Sequence, residues 1–257
     1  MAISLASLKR QSDRKPPRML VYGTAGIGKT TLGVAAPAPV FIQTEESEVD
    51  CPTFGLLKTF DEVMEAVGSL YAEAHDFQTV VLDSLDWLEP IIWRETCRAN
   101  GWANIEAAGY GKGYAAALDT WRLLLDGFNA LRDEKSMGVM LLAHCEIKRF
   151  DSPETEPYDR YQIKLNKSAS ALVQEHVDAV LFANYRVSTV KTDLGFNKKA
   201  VRGVSGGDRM LFTNERPAFL AKNRYGLPDS LPLSWPALAA AIPFYTPNQA
   251  ATSAAAE

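Results

Sequence analysis

The chain has 257 residues, enough for one large α/β domain or two small ones. Hydrophobic residues make up 47%, charged residues 23%, and the net charge is −4, which excludes a strongly basic protein that coats DNA permanently and leaves any nucleic-acid contact to local patches. Cys51, Cys97 and Cys145 are widely spaced with no C-x-x-C pair, which argues against a disulfide framework or a zinc site and for a reducing cytoplasm; no apolar run reaches membrane-spanning length or reads as a secretory signal.

Residues 1–17 form a basic arm, with a small apolar face of Ile3, Leu5 and Leu8. It reads as a solvated arm or as one that docks on a neighbouring subunit. A strand is expected over 18–22, entering the run Gly23-Thr24-Ala25-Gly26-Ile27-Gly28-Lys29-Thr30. That run fits the P-loop pattern G-x-x-x-x-G-K-[ST] at every fixed position, and a helix over 29–36 should follow. The glycines let the backbone approach a phosphate, whose contacts would come from residues 23–31, Thr31 included. Lys29 would neutralise the β and γ phosphates, and Thr30 would offer its hydroxyl to Mg²⁺.

A second strand is expected over 39–43, running into Glu45 and Glu46. If it neighbours the first strand, one of these acids lies beside the P-loop and can polarise a water. A helix over 60–74 and a strand over 78–83 follow. The latter ends Val80-Val81-Leu82-Asp83-Ser84, a carboxylate closing an apolar strand in the manner of a Walker B element. Asp83 would help hold Mg²⁺, and it also precedes a helix expected over 85–99 as a cap would.

Residues 98–114 mix cations with aromatic faces at Arg98, Trp102, Tyr110, Lys112 and Tyr114, with Gly109, Gly111 and Gly113 between them. Stacking faces beside cations are the chemistry of single-strand binding, although helix packing would use the same aromatics. After a helix over 114–133, a strand over 137–143 ends at His144, placed to sense a γ-phosphate or to serve structure. The stretch 145–167 reads as a loop with Lys148 and Arg149 at its base and acids at its tip. Its five cations are matched by five acids, so its net attraction for a polyanion is weak. Past residue 176 the texture turns to strands at 178–190, 198–204, 209–213 and 218–222, joined by glycine-rich turns, which suggests an antiparallel extension. Lys198, Lys199 and Arg202 form a further basic turn. A short helix over 234–241 and a low-complexity tail over 246–257 complete the chain.

Strand and helix alternate from residue 18 onward, which implies a mainly parallel sheet covered on both faces, in one domain spanning 18–245. The succession of the P-loop, Ile42-Gln43-Thr44-Glu45, Val81-Leu82-Asp83-Ser84 and a polar residue closing the next strand resembles the RecA-like ATPase core. It is most similar to the phage RecA-type proteins of the Sak single-strand-annealing group. The resemblance implies a Mg²⁺-dependent ATPase in a ring or filament, with Glu45 as catalytic base and His144 at the sensor position. Gln43 stands where an acid is usual. Ala221-Lys222-Asn223-Arg224-Tyr225-Gly226 resembles the Lys-x-Arg finger of hexameric helicases and clock ATPases, so Lys222 and Arg224 would reach a neighbour's nucleotide. Binding and annealing of single-stranded DNA would be the output, with a single-strand-binding protein as a candidate partner and no membrane. The alternatives are a hexameric helicase-type motor and a nucleotide-switched scaffold or loader acting on a protein.

Overall fold

The structure, a computed structural model, describes residues 14–193 and 199–246. The elements in chain order are β1 (Arg18–Gly23), α1 (Lys29–Val34), β2 (Pro39–Gln43), β3 (Thr53–Leu56), α2 (Phe60–Ala72), β4 (Thr79–Asp83), α3 (Leu85–Asn100), α4 (Lys112–Lys135), β5 (Gly138–Phe150), β6 (Tyr158–Ile163), α5 (Lys167–His176), β7 (Ala179–Asp193), β8 (Lys199–Phe212), β9 (Lys222–Asn223), β10 (Ser230–Pro232) and α6 (Trp235–Ala241).

The main path of the sheet runs β10-β8-β7-β1-β5-β4-β2-β3. From β7 to β3 every pair is parallel, and β8 and β10 add on antiparallel. This is the mixed α/β architecture the sequence implies, a mostly parallel sheet with an antiparallel C-terminal extension. The central strands are apolar throughout because both faces are covered. Alternation then divides them: Leu20, Tyr22, Val80, Leu82, Val139 and Leu141 pack with α2, α3, α4 and α5. Met19, Val21, Phe41, Val81, Met140 and Leu142 pack with α1 and α6, against Leu32, Trp235 and Leu238.

Local chemistry explains several boundaries. Helix α2 begins in a capping box, where Thr59 Oγ1 accepts from Glu62 N at 3.2 Å and Glu62 Oε2 accepts from Thr59 N at 2.9 Å. Helix α5, absent from the sequence reading, is capped by Asn166, whose Oδ1 accepts from Ser168 N at 3.0 Å. Strand β3 was also unforeseen. It is a short, largely exposed edge strand containing a glycine, and carries little hydrophobic signal.

The stretch 145–167 is not a loop. Strand β5 continues through it and turns back as β6, with Lys148 opposite Arg160 and Arg149 opposite Asp159. The two strands expected at 198–204 and 209–213 are one, β8, and the strand expected at 218–222 shrinks to β9. Lys199 and Arg202 therefore belong to a strand rather than a turn, while Lys198 lies outside the described residues, as do 1–13 of the arm and 247–257 of the tail. The end of the arm is packed on the body: Lys15 Nζ meets Asp133 at 2.8 Å, and Pro16 and Pro17 are buried.

Gly23 ends β1 directly beside Ala183 of its parallel neighbour β7, and a Cβ there would sit 2.1 Å from the Ala183 carbonyl oxygen. Both backbones are fixed in the ladder, so neither can yield cheaply. Gly23→Ala should cost roughly 1–3 kcal/mol, read as a lowered urea midpoint; an unchanged midpoint would contradict this packing.

Candidate nucleotide site

Strands β1, β4 and β2 all end at the same edge of the sheet, and His144 pairs with Gly23 at the same level on β5. A crevice beyond the carboxyl ends of parallel strands is the usual ligand site of such folds. Here it is a cavity of about 340 Å³ lined by Ala25, Gly26, Gly28, Lys29, Thr30 and Thr31 with Glu45, Ser47, Asp83, His144 and Arg209. A larger groove of about 560 Å³ between the β5–β6 hairpin and α5 shares no residue with it, so the grouping of charged side chains, not size, singles out the smaller one.

The loop between β1 and α1 turns on Gly26 and Gly28, at φ 72° and 110°, values that L side chains rarely adopt. Lys29 folds back over it, donating to the carbonyls of Gly23 at 3.2 Å and Thr24 at 3.0 Å. Burial lowers the Lys29 ammonium below its usual range, against the pull of Asp83. Thr30 Oγ1 donates to Asp83 Oδ2 at 2.8 Å. Burial raises the Asp83 carboxyl, and that hydrogen bond opposes the rise. A hydroxyl and a carboxylate side by side are the oxygen donors a hard divalent cation takes. Among the described residues no cluster of His, Cys, Asp and Glu could hold a metal by itself. A cation on this pair would draw its other ligands from phosphate and water.

Strand β2 does not neighbour β1, since β4 and β5 lie between them. Glu45 reaches the cavity by another route. The Asp83 carbonyl accepts from Thr44 N at 2.8 Å and Glu45 N at 3.3 Å, and Ser84 Oγ donates to Glu45 Oε2 at 2.9 Å. Glu45 is half-buried there, while Glu46 is exposed and outside the lining. His144 stands 3.8 Å from Glu45 and is oriented by Asp86, which accepts from its ring Nδ1 at 3.0 Å and its backbone N at 3.0 Å. Burial would raise Asp86, yet the hydrogen bonds from His144 outweigh it and hold the carboxyl at about 2.

The remaining expected residues lie elsewhere. Lys222 pairs at the level of Val180 and so sits toward the opposite edge of the sheet from its own P-loop. Its ammonium donates to the carbonyls of Gln174, Glu175 and Val177 at 2.7, 3.2 and 2.7 Å, closing the C-terminus of α5. Arg224 stands 3.6 Å from Asp178, with its side chain 57% exposed. Arg98 is held by Glu95 at 2.7 Å, Lys148 by Glu146 at 2.7 Å, and Arg149 faces Asp159 at 3.8 Å. Trp102 is half-buried, and Tyr114 meets Trp93 edge to face. Tyr110 is fully exposed, with Lys112 exposed beside it, on three successive left-handed residues from Gly109 to Gly111.

Two site features escaped the sequence reading. Arg209 is one. The other is a groove of about 490 Å³ that opens from Asp86 between α3 and the β5–β6 hairpin, lined by Trp87, Trp93, Tyr114, Lys148 and Lys164 among others. Its floor holds Glu89, which accepts from Asn166 N at 2.9 Å.

The AAA domain family matches residues 15–225, and the chain belongs to it. It therefore carries a P-loop ATPase-type domain, a class that binds ATP. No curated protein matches the chain. No helix among the described residues is long and apolar enough to cross a membrane.

Burial pushes Glu89 up to about 7, against the hydrogen bond from Asn166. The folded protein thus keeps a proton that the unfolded chain releases in the ordinary glutamate range. The resulting stabilisation is present below that range and is lost as pH rises through about 7. Glu89→Gln stays neutral, so between about pH 5 and about pH 8 its melting temperature should fall less than that of the wild type. Parallel curves for the two proteins would remove Glu89 from the pH response.

Proposed function

We propose that the protein is a Mg²⁺-dependent ATPase with a RecA-like core that binds single-stranded DNA and promotes its annealing or pairing as a ring or filament. The observation that carries the reading is the meeting of Lys29, Thr30, Asp83, Glu45 and His144 in one cavity, just past the ends of β1, β4 and β2 and from within β5. Bound Mg²⁺ would draw charge from the β and γ phosphates. Thr30 and Asp83 would hold it, and Lys29, released from its loop carbonyls, would meet the same oxygens. Glu45 would take a proton from the attacking water. Ser84 orients its carboxylate, and His144, tied to Asp86, would report the state of the γ-phosphate toward the β5–β6 hairpin. Glu45→Gln should retain ATP binding and slow hydrolysis by roughly two to four orders of magnitude, measured in single turnover. Lost affinity with normal turnover would make Glu45 structural.

Support for DNA comes from exposure. Tyr110 presents a free face beside Lys112, and Trp87 opens a groove with Lys148 and Lys164 that begins at Asp86. Arg98, Lys148 and Arg149 already have acidic partners, so they would contribute less than isolated cations. Tyr110→Ala and Trp87→Ala should each weaken single-strand binding by roughly 1–3 kcal/mol and leave ATP affinity intact, as read by anisotropy at several salt concentrations. Wild-type affinity in both variants would favour the nucleotide-switched scaffold over a DNA-binding protein. A trans role for the finger falls on Arg224, because Lys222 is engaged by α5 of its own chain.

A further inference from the structure

Arg209 is a cation at the phosphate site that no sequence motif marks. We propose that Arg209 contacts the nucleotide phosphates in cis, from the same chain that provides the P-loop; this rests on the nucleotide reading above. The placement follows from register. Gly23 pairs with Ala183, Ala183 with Leu211, and Tyr185 with Arg209. Arg209 is therefore two residues from Leu211, on the same face of the sheet and one step beyond the end of β1. Leu211 packs with Ile27 and Leu32, the residues that flank the loop and α1. The next side chain along that face must emerge over the P-loop. It does so closely: a Cβ built on Gly28 would lie 3.2 Å from Arg209 Nη1.

The strand is held on its other flank too. Leu231 pairs with Leu211, and Leu233 N donates to the Arg209 carbonyl at 2.9 Å. The backbone under this side chain is fixed rather than part of a wandering loop. The guanidinium itself makes no ion pair or side-chain hydrogen bond among the described residues. Neighbouring carboxylates have other partners: Asp83 takes Thr30, and Glu45 takes Ser84. Several other arginines are matched by acids, as Arg18 is by Asp178 and Arg160 by Glu215. A planar fork of donors in a cavity with Lys29 suits phosphate oxygens, which it can meet in a bidentate way. Without it, Lys29 and a divalent cation alone would face the triphosphate beside two carboxylates.

The test uses the full-length protein and a fluorescent ATP analogue, with Lys29→Ala as a reference. Arg209→Ala should weaken equilibrium binding on the order of tenfold or more, the usual scale for a charge-assisted hydrogen bond. It should also reduce the rise in melting temperature that ATP causes, while melting without nucleotide stays as in the wild type. Arg209→Lys keeps the charge but loses the fork, and should fall between. Mixing Arg209→Ala with Lys29→Ala should restore no hydrolysis, because each site would still lack one of its own groups. Wild-type affinity in Arg209→Ala, alongside weakened binding in Lys29→Ala, would overturn the proposal and leave the P-loop reading standing. Rescue in the mixture would move Arg209 to a neighbour's site and overturn the cis assignment. A wild-type protein that does not bind ATP would overturn both.

Discussion

The site depends on what hangs from the end of β4. The Asp83 carboxylate takes the Thr30 hydroxyl, which ties the P-loop helix to the centre of the sheet. The carbonyl of the same residue takes the amides of Thr44 and Glu45, and the next residue, Ser84, takes the Glu45 carboxylate. Thr44 Oγ1 completes the knot by donating to the Ser84 carbonyl at 2.7 Å. Two segments distant in sequence are thereby fixed by two consecutive residues. Both are buried, so these hydrogen bonds compete little with water.

This arrangement places charges of both signs in one cavity before any ligand arrives. Lys29 is lowered and Asp83 raised by burial, so each charge is held at some cost. A triphosphate and a divalent cation would change that balance, the anion favouring charged Lys29 and the cation favouring ionised Asp83. His144 belongs to the same network through Asp86, and the Lys164 amide in turn donates to the His144 carbonyl at 2.9 Å. A continuous set of contacts thus leads from the P-loop cavity to the start of the β5–β6 hairpin and to Lys164, just past the end of β6.

What could be read from the sequence was what is local. The P-loop is eight consecutive residues with its own geometry, and Val80 to Asp83 declares a buried strand with a charged end. Both faces of the central sheet are covered, so those strands appear as unbroken apolar runs. Strand β3 offers no such run, because it is an exposed edge. The hairpin and α5 were hidden for a different reason. Their charged residues are matched within the hairpin and along the surface, and alternating charges look like a loop when the pairing strand is unknown. Glu45 lines the cavity without the strand adjacency that would have made its place legible: two strands intervene between β1 and β2, and the Asp83 carbonyl closes the gap. Arg209 had no local signature, since its position depends on the register of four strands.

The two ends of the sheet are also chemically distinct. At the edge opposite the P-loop, Asp178 gathers Arg18 and Arg132 at 3.1 and 3.4 Å, with the Tyr225 hydroxyl donating at 3.1 Å. Burial would raise Asp178, but these partners keep it low. That cluster gathers several arginines on one carboxylate, whereas in the P-loop cavity the buried Lys29 is held by its own loop carbonyls and the exposed Arg209 reaches over the loop. The most direct test of the account is ATP turnover by the full-length protein in Mg²⁺, with and without a single-stranded oligonucleotide. The account predicts turnover that rises when the strand is added; no turnover under either condition would contradict it.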